Sequence, residues 1–146
     1  MSDEAEEPGP ADTVVFKLGA IGAVATDMLA ARIEGDGLKL RHTRLLTALA
    51  TAGAASQHEL AGRLGVAPSL VVSLADHLEA LGAIRRVRDT GDRRRQILRL
   101  TDRGRELLDK CRATALTVEA ELLESLSAAE RAALDKALTK LTRAWC

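Results

Sequence analysis

The sequence predicts a mainly α fold with one small two-stranded β hairpin, and three observations predict it. Its 146 residues include one Phe, one Trp and no Tyr, so a core must be built from Leu, Val, Ile and Ala, which suits helices more than an aromatic-rich sheet. Apolar residues recur three and four apart through several long segments, the period of a helix with one buried face. Two basic runs, Ile84–Arg88 and Gln96–Leu100, flank the turn residues Asp89, Thr90, Gly91 and Asp92, the pattern of paired strands around a tight connection.

Taken in order, residues 1–13 are rich in acids, Pro and Gly and predict a flexible acidic tail with too little apolar surface to fold alone. Val14, Leu18, Ile21, Ala25, Met28 or Leu29, and Ile33 then form a stripe without basic residues, broken at Gly35-Asp36-Gly37, so residues 14–37 read as a packing helix. Residues 41–51 give a second helix with Leu45, Leu46 and Leu49 inward, ended by Gly53. Ser56 followed by Glu59 is a capping box that starts a short helix closing at Gly65. Pro68 fits the first position of the next helix, which Gly82 ends and which turns Leu70 or Val71, Leu74, Leu78 and Leu81 to the core. Thr101 caps a long helix whose seam is Leu108, Cys111, Ala115, Val118, Leu122 and Leu126. Ser127 with Glu130 is a second capping box, and Leu134, Leu138, Leu141 and Trp145 line the last helix.

Charge separates by region although the formal net charge is zero. Residues 38–104 hold twelve Lys or Arg against six acids, while the flanks carry the compensating acids. The middle is therefore a basic lobe built of a turn-capped helix pair and an arginine-rich hairpin, the outline of a winged helix-turn-helix that binds double-stranded DNA. Residues near Pro68 to His77 would face a major groove. On that helix Leu70, Val71 and Val72 form an apolar run, so base reading falls to Ser69, Ser73, His77 and contact of Val72 with a thymine methyl. Arg41, Arg44 and Arg63 are positioned to meet phosphates. The apolar faces of the flanking helices, 14–37 and 105–146, exceed what so small a chain can cover, and a symmetric homodimer resolves this.

The helix pair SQHELAGRLG and PSLVVSLADHLEALG, the hairpin with Asp89, Asp92, Arg93 and Arg94, and LTDRG opening a long helix together resemble the MarR (multiple antibiotic resistance regulator) family of winged helix-turn-helix regulators. The resemblance runs from about Val14 to Trp145. It implies a repressor of a pseudo-palindromic operator, relieved by a small-molecule effector. It places the groove-inserting arginine at Arg94, with Asp92 orienting its guanidinium, and leaves Arg86, Arg88, Arg93 and Arg95 for phosphates. It also implies an effector pocket between the dimer helices and the DNA-binding lobe, involving Phe16, Leu40 and Val118. The family commonly has a capping Ser where this chain has Ala67, and longer polar donors along the reading helix.

Other chemistries find no footing. His58-Glu59 begins like a zinc-protease motif, but Gly62 stands where the second imidazole belongs. No phosphate-binding glycine loop or nucleophile elbow occurs, so neither enzyme activity, a cofactor nor a metal is expected. No apolar run is read as a membrane span, and a cytoplasmic location follows as the expectation. Cys111 sits on an apolar seam as an inert thiol and Cys146 is terminal. Peroxide-sensing members of the resembled family carry their reactive cysteine in the first helix, where this chain has none. The rival reading is an interaction module that keeps the dimeric fold and has lost operator recognition.

Overall fold

Helical periodicity and capping residues determine where the elements fall. The computed structural model describes residues 8–145, and their order is α1 (Val14–Ile33), α2 (Leu40–Ala52), α3 (Gln57–Leu64), α4 (Pro68–Ala80), β1 (Ile84–Arg88), β2 (Gln96–Leu100), α5 (Asp102–Leu122) and α6 (Ala128–Trp145). Both strands match the expected bounds, whereas α1 ends at Ile33, short of the expected boundary at residue 37, and Glu34–Asp36 forms a 3-10 turn. Ahead of α1, Pro10–Asp12 forms a 3-10 turn in which the Gly9 amide donates to the Asp12 carboxylate at 2.9 Å. Part of the segment expected to be a flexible tail is therefore an ordered turn, and residues 1–7 lie outside the described residues.

The chain divides into two compact units, Thr26–Ala115 and the segments to Ala25 and from Leu116. The division differs from the sequence boundaries at 37 and 104, because the core of the first unit recruits Ile33 from the end of α1 and Leu107 and Cys111 from the start of α5. Around them Leu38, Leu45, Leu46, Leu60, Val71, Leu78, Ile84 and Leu98 are fully buried. Val71 fills the core position for which Leu70 was the alternative, and Leu70 is half-buried beside it.

The turn between α3 and α4 depends on Gly65, whose φ of 64° places it in the left-handed region that other residues resist. The Ser56–Glu59 box forms as expected: the Ser56 amide donates to Glu59 Oε2 at 2.8 Å and the Glu59 amide to Ser56 Oγ at 3.2 Å. The strands pair antiparallel with Ile84 opposite Leu100, Arg85 opposite Arg99 and Arg88 opposite Gln96. Ala55 adds an isolated bridge to Leu98, with amide-to-carbonyl distances of 2.8 and 3.2 Å. A single bridging residue has no alternation to read, so the sequence gives no sign of it.

At the root of the hairpin, Thr101 Oγ1 donates to the Gly82 carbonyl at 2.5 Å and accepts from the Gly104 amide at 3.1 Å. A Cβ on Gly104 would overlap the Ala83 carbonyl oxygen and stand 2.6 Å from Leu100 Cδ1. Only glycine lets α5 start so close to β1, which explains the last residue of LTDRG.

In the other unit, α5 stops at Leu122, so the expected seam residue Leu126 lies in the following turn. Ser127 and Glu130 cap α6 reciprocally at 2.9 and 3.2 Å. Phe16, Ile21 and Val24 of α1 and Leu138, Leu141 and Trp145 of α6 are exposed. Val14–Asp36 has a mean hydropathy of 1.6 and is long and apolar enough to cross a bilayer by length and composition, contrary to the expectation that no such run exists. Its last turns, Leu29 and Ile33, are committed to the core of the first unit.

Candidate nucleic-acid interface

The hairpin is held in place by two of its own arginines. Arg86 reaches α4, donating Nη2 to Asp76 Oδ1 at 2.5 Å, Nη1 to Glu79 Oε2, and its amide to Glu79 Oε1 at 3.2 Å. Its side chain is only 17% exposed; although burial works against the charge, the hydrogen bonds to Asp76 and then Glu79 hold its pKa above the ordinary value. Arg95 pairs with Glu59 of α3 and lies 3.9 Å from Asp89. The Ser56 amide first, and Arg95 next, keep Glu59 below the usual carboxylate range. Both cations were expected at phosphates. They are instead engaged inside the lobe, because acids at Asp76, Glu79 and Glu59 face the strands.

The connection from Asp89 to Arg95 is ordered by its carboxylates. Asp89 Oδ1 accepts from the Gly91 amide at 3.1 Å, Asp92 Oδ1 from the Arg94 amide at 3.0 Å, and the Asp92 carbonyl from the Arg95 amide at 2.9 Å. These are side-chain turns that substitute for backbone pairing. Asp92 thus fixes the backbone of Arg94, where it was expected to orient the guanidinium. Arg93 and Arg94 are exposed at the tip, and Arg88 follows at the end of β1, its Nη1 3.5 Å from the Arg93 carbonyl.

On α4, Ser69, Val72 and Ser73 are exposed, Val72 by 41%, as expected of a groove-facing surface. His77 differs from the expectation. Its Nε2 stands 2.6 Å from the Gly37 carbonyl, which can only accept, so that nitrogen carries the proton and donates away from any base. The ring stacks on His42 at 4.3 Å between centroids and 7° between planes. His42 is buried, and its Nδ1 accepts from the Lys39 amide at 2.9 Å. Burial first, then the charges of His77 and Lys39, lower its pKa to about 4, so it is neutral near pH 7. Arg41, Arg44 and Arg63 are exposed on α2 and α3.

Within the same unit, α1, α2 and α5 enclose a cavity of about 330 Å³ lined by Leu29, Ile33, Thr43, Thr47, Leu108 and Arg112, with the Cys111 thiol in its wall. Burial, and next Asp36, push the Cys111 pKa up, which suits an inert thiol. Of the residues expected at an effector pocket, Leu40 lines a separate depression with Ala30, Ala31 and Glu34. Phe16 is exposed and Val118 buried, both in the other unit. Cys146 lies outside the described residues.

Sequence reasoning missed Asp76, Glu79 and Glu59 as anchors and His42 as the partner of His77. The signal for the first two was present, since Asp76 and Glu79 are three apart on one helix and precede a basic strand. No local pattern marks the histidine stack, which joins positions 35 residues apart.

Residues 38–95, the helix pair and most of the hairpin, match the MarR family model. The chain belongs to the MarR family. Its relatives include an uncharacterized helix-turn-helix transcriptional regulator of Bacillus subtilis, YdgJ, 30% identical over 72% of this chain; the match spans 64% of that relative's length. The transcriptional repressor Rv2887 of Mycobacterium tuberculosis is 29% identical over 86% of this chain and 91% of its own. The crystal structure of that MarR-family protein in complex with DNA matches with a TM-score of 0.76 at 27% identity, covering 88% of this chain and 97% of the other. CouR of Rhodococcus jostii, solved with p-coumaroyl-CoA bound, matches with a TM-score of 0.72 at 25% identity, over 92% and 95%. The relatives are transcriptional regulators, and the MarR chain carries their winged helix-turn-helix.

Proposed function

We propose that this MarR-family chain is a homodimeric, effector-responsive transcriptional repressor that works in the cytoplasm on a pseudo-palindromic operator. The observation that carries the reading is the anchored hairpin: ion pairs fix it to α3 and α4, and its tip presents Arg93 and Arg94 without acid partners among the described residues. A guanidinium on such a projection fits a narrow minor groove, where the negative potential is greatest. Ser69, Val72 and Ser73 of α4 would meet the adjoining major groove, and Arg41, Arg44, Arg63 and Arg88 the phosphates. The DNA complex of the Mycobacterium relative supports the partner.

The exposed apolar residues of α1 and α6 would close the dimer, at a cost in exposed surface too large for a stable monomer. The cavity between α1, α2 and α5 is the place for an effector, since it is mostly apolar with Thr43, Thr47, Asp109 and Arg112 as polar points. The ligand in CouR supports small-molecule control.

Selection of bound duplexes from a random library tests this reading: enrichment of an inverted repeat, with a dimer by sedimentation at micromolar concentration, is expected. The interaction-module reading is favoured by Val72 standing exposed on α4 and by His77 being turned to Gly37. No enrichment, with equal affinity for all duplexes, would establish that alternative.

A further inference from the structure

We infer that Arg85 and Arg99 form a second anion site at the root of the hairpin, built to hold one phosphate of the DNA backbone outside the groove that the tip enters. The inference rests on the hairpin being a DNA-contacting wing. Arg85 and Arg99 are directly opposite in the register, both exposed. Their Cβ atoms therefore stand about 5 Å apart, the separation of a cross-strand pair, and like charges so placed repel. Two other cations of the hairpin, and two at the start of α5, are neutralised locally. Arg86 has Asp76 and Glu79, Arg95 has Glu59 and Asp89, and Arg103 and Arg105 at the start of α5 have Glu106 and Asp102. Among the described residues no acid pairs with Arg85 or Arg99. An oxyanion placed between two such cations relieves their repulsion and can accept from both guanidinium groups, which the paired strands already bring to neighbouring positions.

The duplex is the favoured source of that anion because further cations without acid partners among the described residues lie along the same hairpin. Arg88 lies three residues along the same strand, roughly 10 Å away at strand rise and on the opposite face, with Arg93 and Arg94 beyond it. Neither Arg85 nor Arg99 shares the face of Arg86, which is turned to α4. The root and the tip can therefore load different phosphates of one backbone.

Arg85→Gln/Arg99→Gln tests the site by fluorescence anisotropy on the selected duplex and on random duplexes at several salt concentrations. The double variant should weaken both by a similar factor and reduce the slope of log affinity against log salt by about one unit, the loss of one neutralised phosphate. Arg99→Glu, which gives Arg85 an internal partner, should do the same or more. Both variants should melt no lower than wild type, because the change removes a repulsion. An unchanged slope and affinity in the double variant would overturn the site as a DNA contact; binding of an acidic peptide lost in the same variant would then assign it to a protein partner. The wing reading is tested separately by Arg94→Ala: if that variant loses affinity while the root variants do not, only the root site fails.

Discussion

Helix α4 and the hairpin lie side by side in one lobe, yet they offer DNA opposite surfaces. The helix shows Ser69, Val72 and Ser73, has His77 turned onto His42 and the Gly37 carbonyl, and carries two carboxylates that Arg86 covers. The hairpin leaves five arginines, 85, 88, 93, 94 and 99, without acid partners among the described residues, on a frame fixed by Arg86 and Arg95. Hydrogen-bond readout of bases needs donors and acceptors aimed outward, whereas attraction to phosphate needs only charge. On the proposed reading the helix would be the weaker reader and the hairpin the stronger holder. Different cations serve the two tasks: Arg86 and Arg95 anchor the hairpin, and the other five are left for DNA.

The join is most severely broken at the hairpin root. Gly104→Ala forces a methyl into the Ala83 carbonyl, and overpacking against backbone should cost about 3 kcal/mol. Chemical denaturation should show that loss together with weaker DNA binding, and wild-type stability would contradict the close approach. A comparable effect comes from acid. The His42 value in the fold lies below the ordinary 6.5, at about 4, so protons favour the unfolded chain. Its contribution is complete above pH 6.5 and is lost as pH falls through 6.5 towards 4, about 3 kcal/mol across that window. His42→Gln should remove this part of the pH dependence; identical profiles for the two proteins would refute a buried neutral imidazole.

Smaller effects separate anchoring from holding. Arg86→Gln uncovers Asp76 and Glu79 beside DNA and frees the hairpin from α4, so affinity should fall about tenfold, ~1.4 kcal/mol, with the salt slope unchanged. A slope reduced by one unit would make Arg86 a phosphate ligand instead. Ser73→Ala removes a short donor from a weakly reading helix, and discrimination against altered half-sites should change by less than about threefold on mutated duplexes. A collapse of discrimination would show that α4 reads bases well.

Much of this contrast was legible in the sequence. The strands, the Ser56–Glu59 and Ser127–Glu130 boxes and the turn residues follow from short-range rules, and so does the excess of arginine in the hairpin. What escaped depended on meetings between distant segments. Arg86 reads like any exposed cation until Asp76 and Glu79 are seen opposite it, and His77 reads like a donor until Gly37 and His42 take its ring. Gly104 is unremarkable in a helix start until Ala83 is brought against it. Charge counts predict where cations are; only the fold tells which of them remain unpaired.

The central claim is that the hairpin tip, more than α4, supplies affinity for DNA. Its most direct test is anisotropy with wild type and Arg94→Ala on selected and random duplexes across a salt series. The account predicts a steep salt dependence for wild type, a loss of about 1–3 kcal/mol on the selected duplex in Arg94→Ala, and an unchanged dimer by sedimentation. Equal binding by the two proteins at the same salt would contradict it.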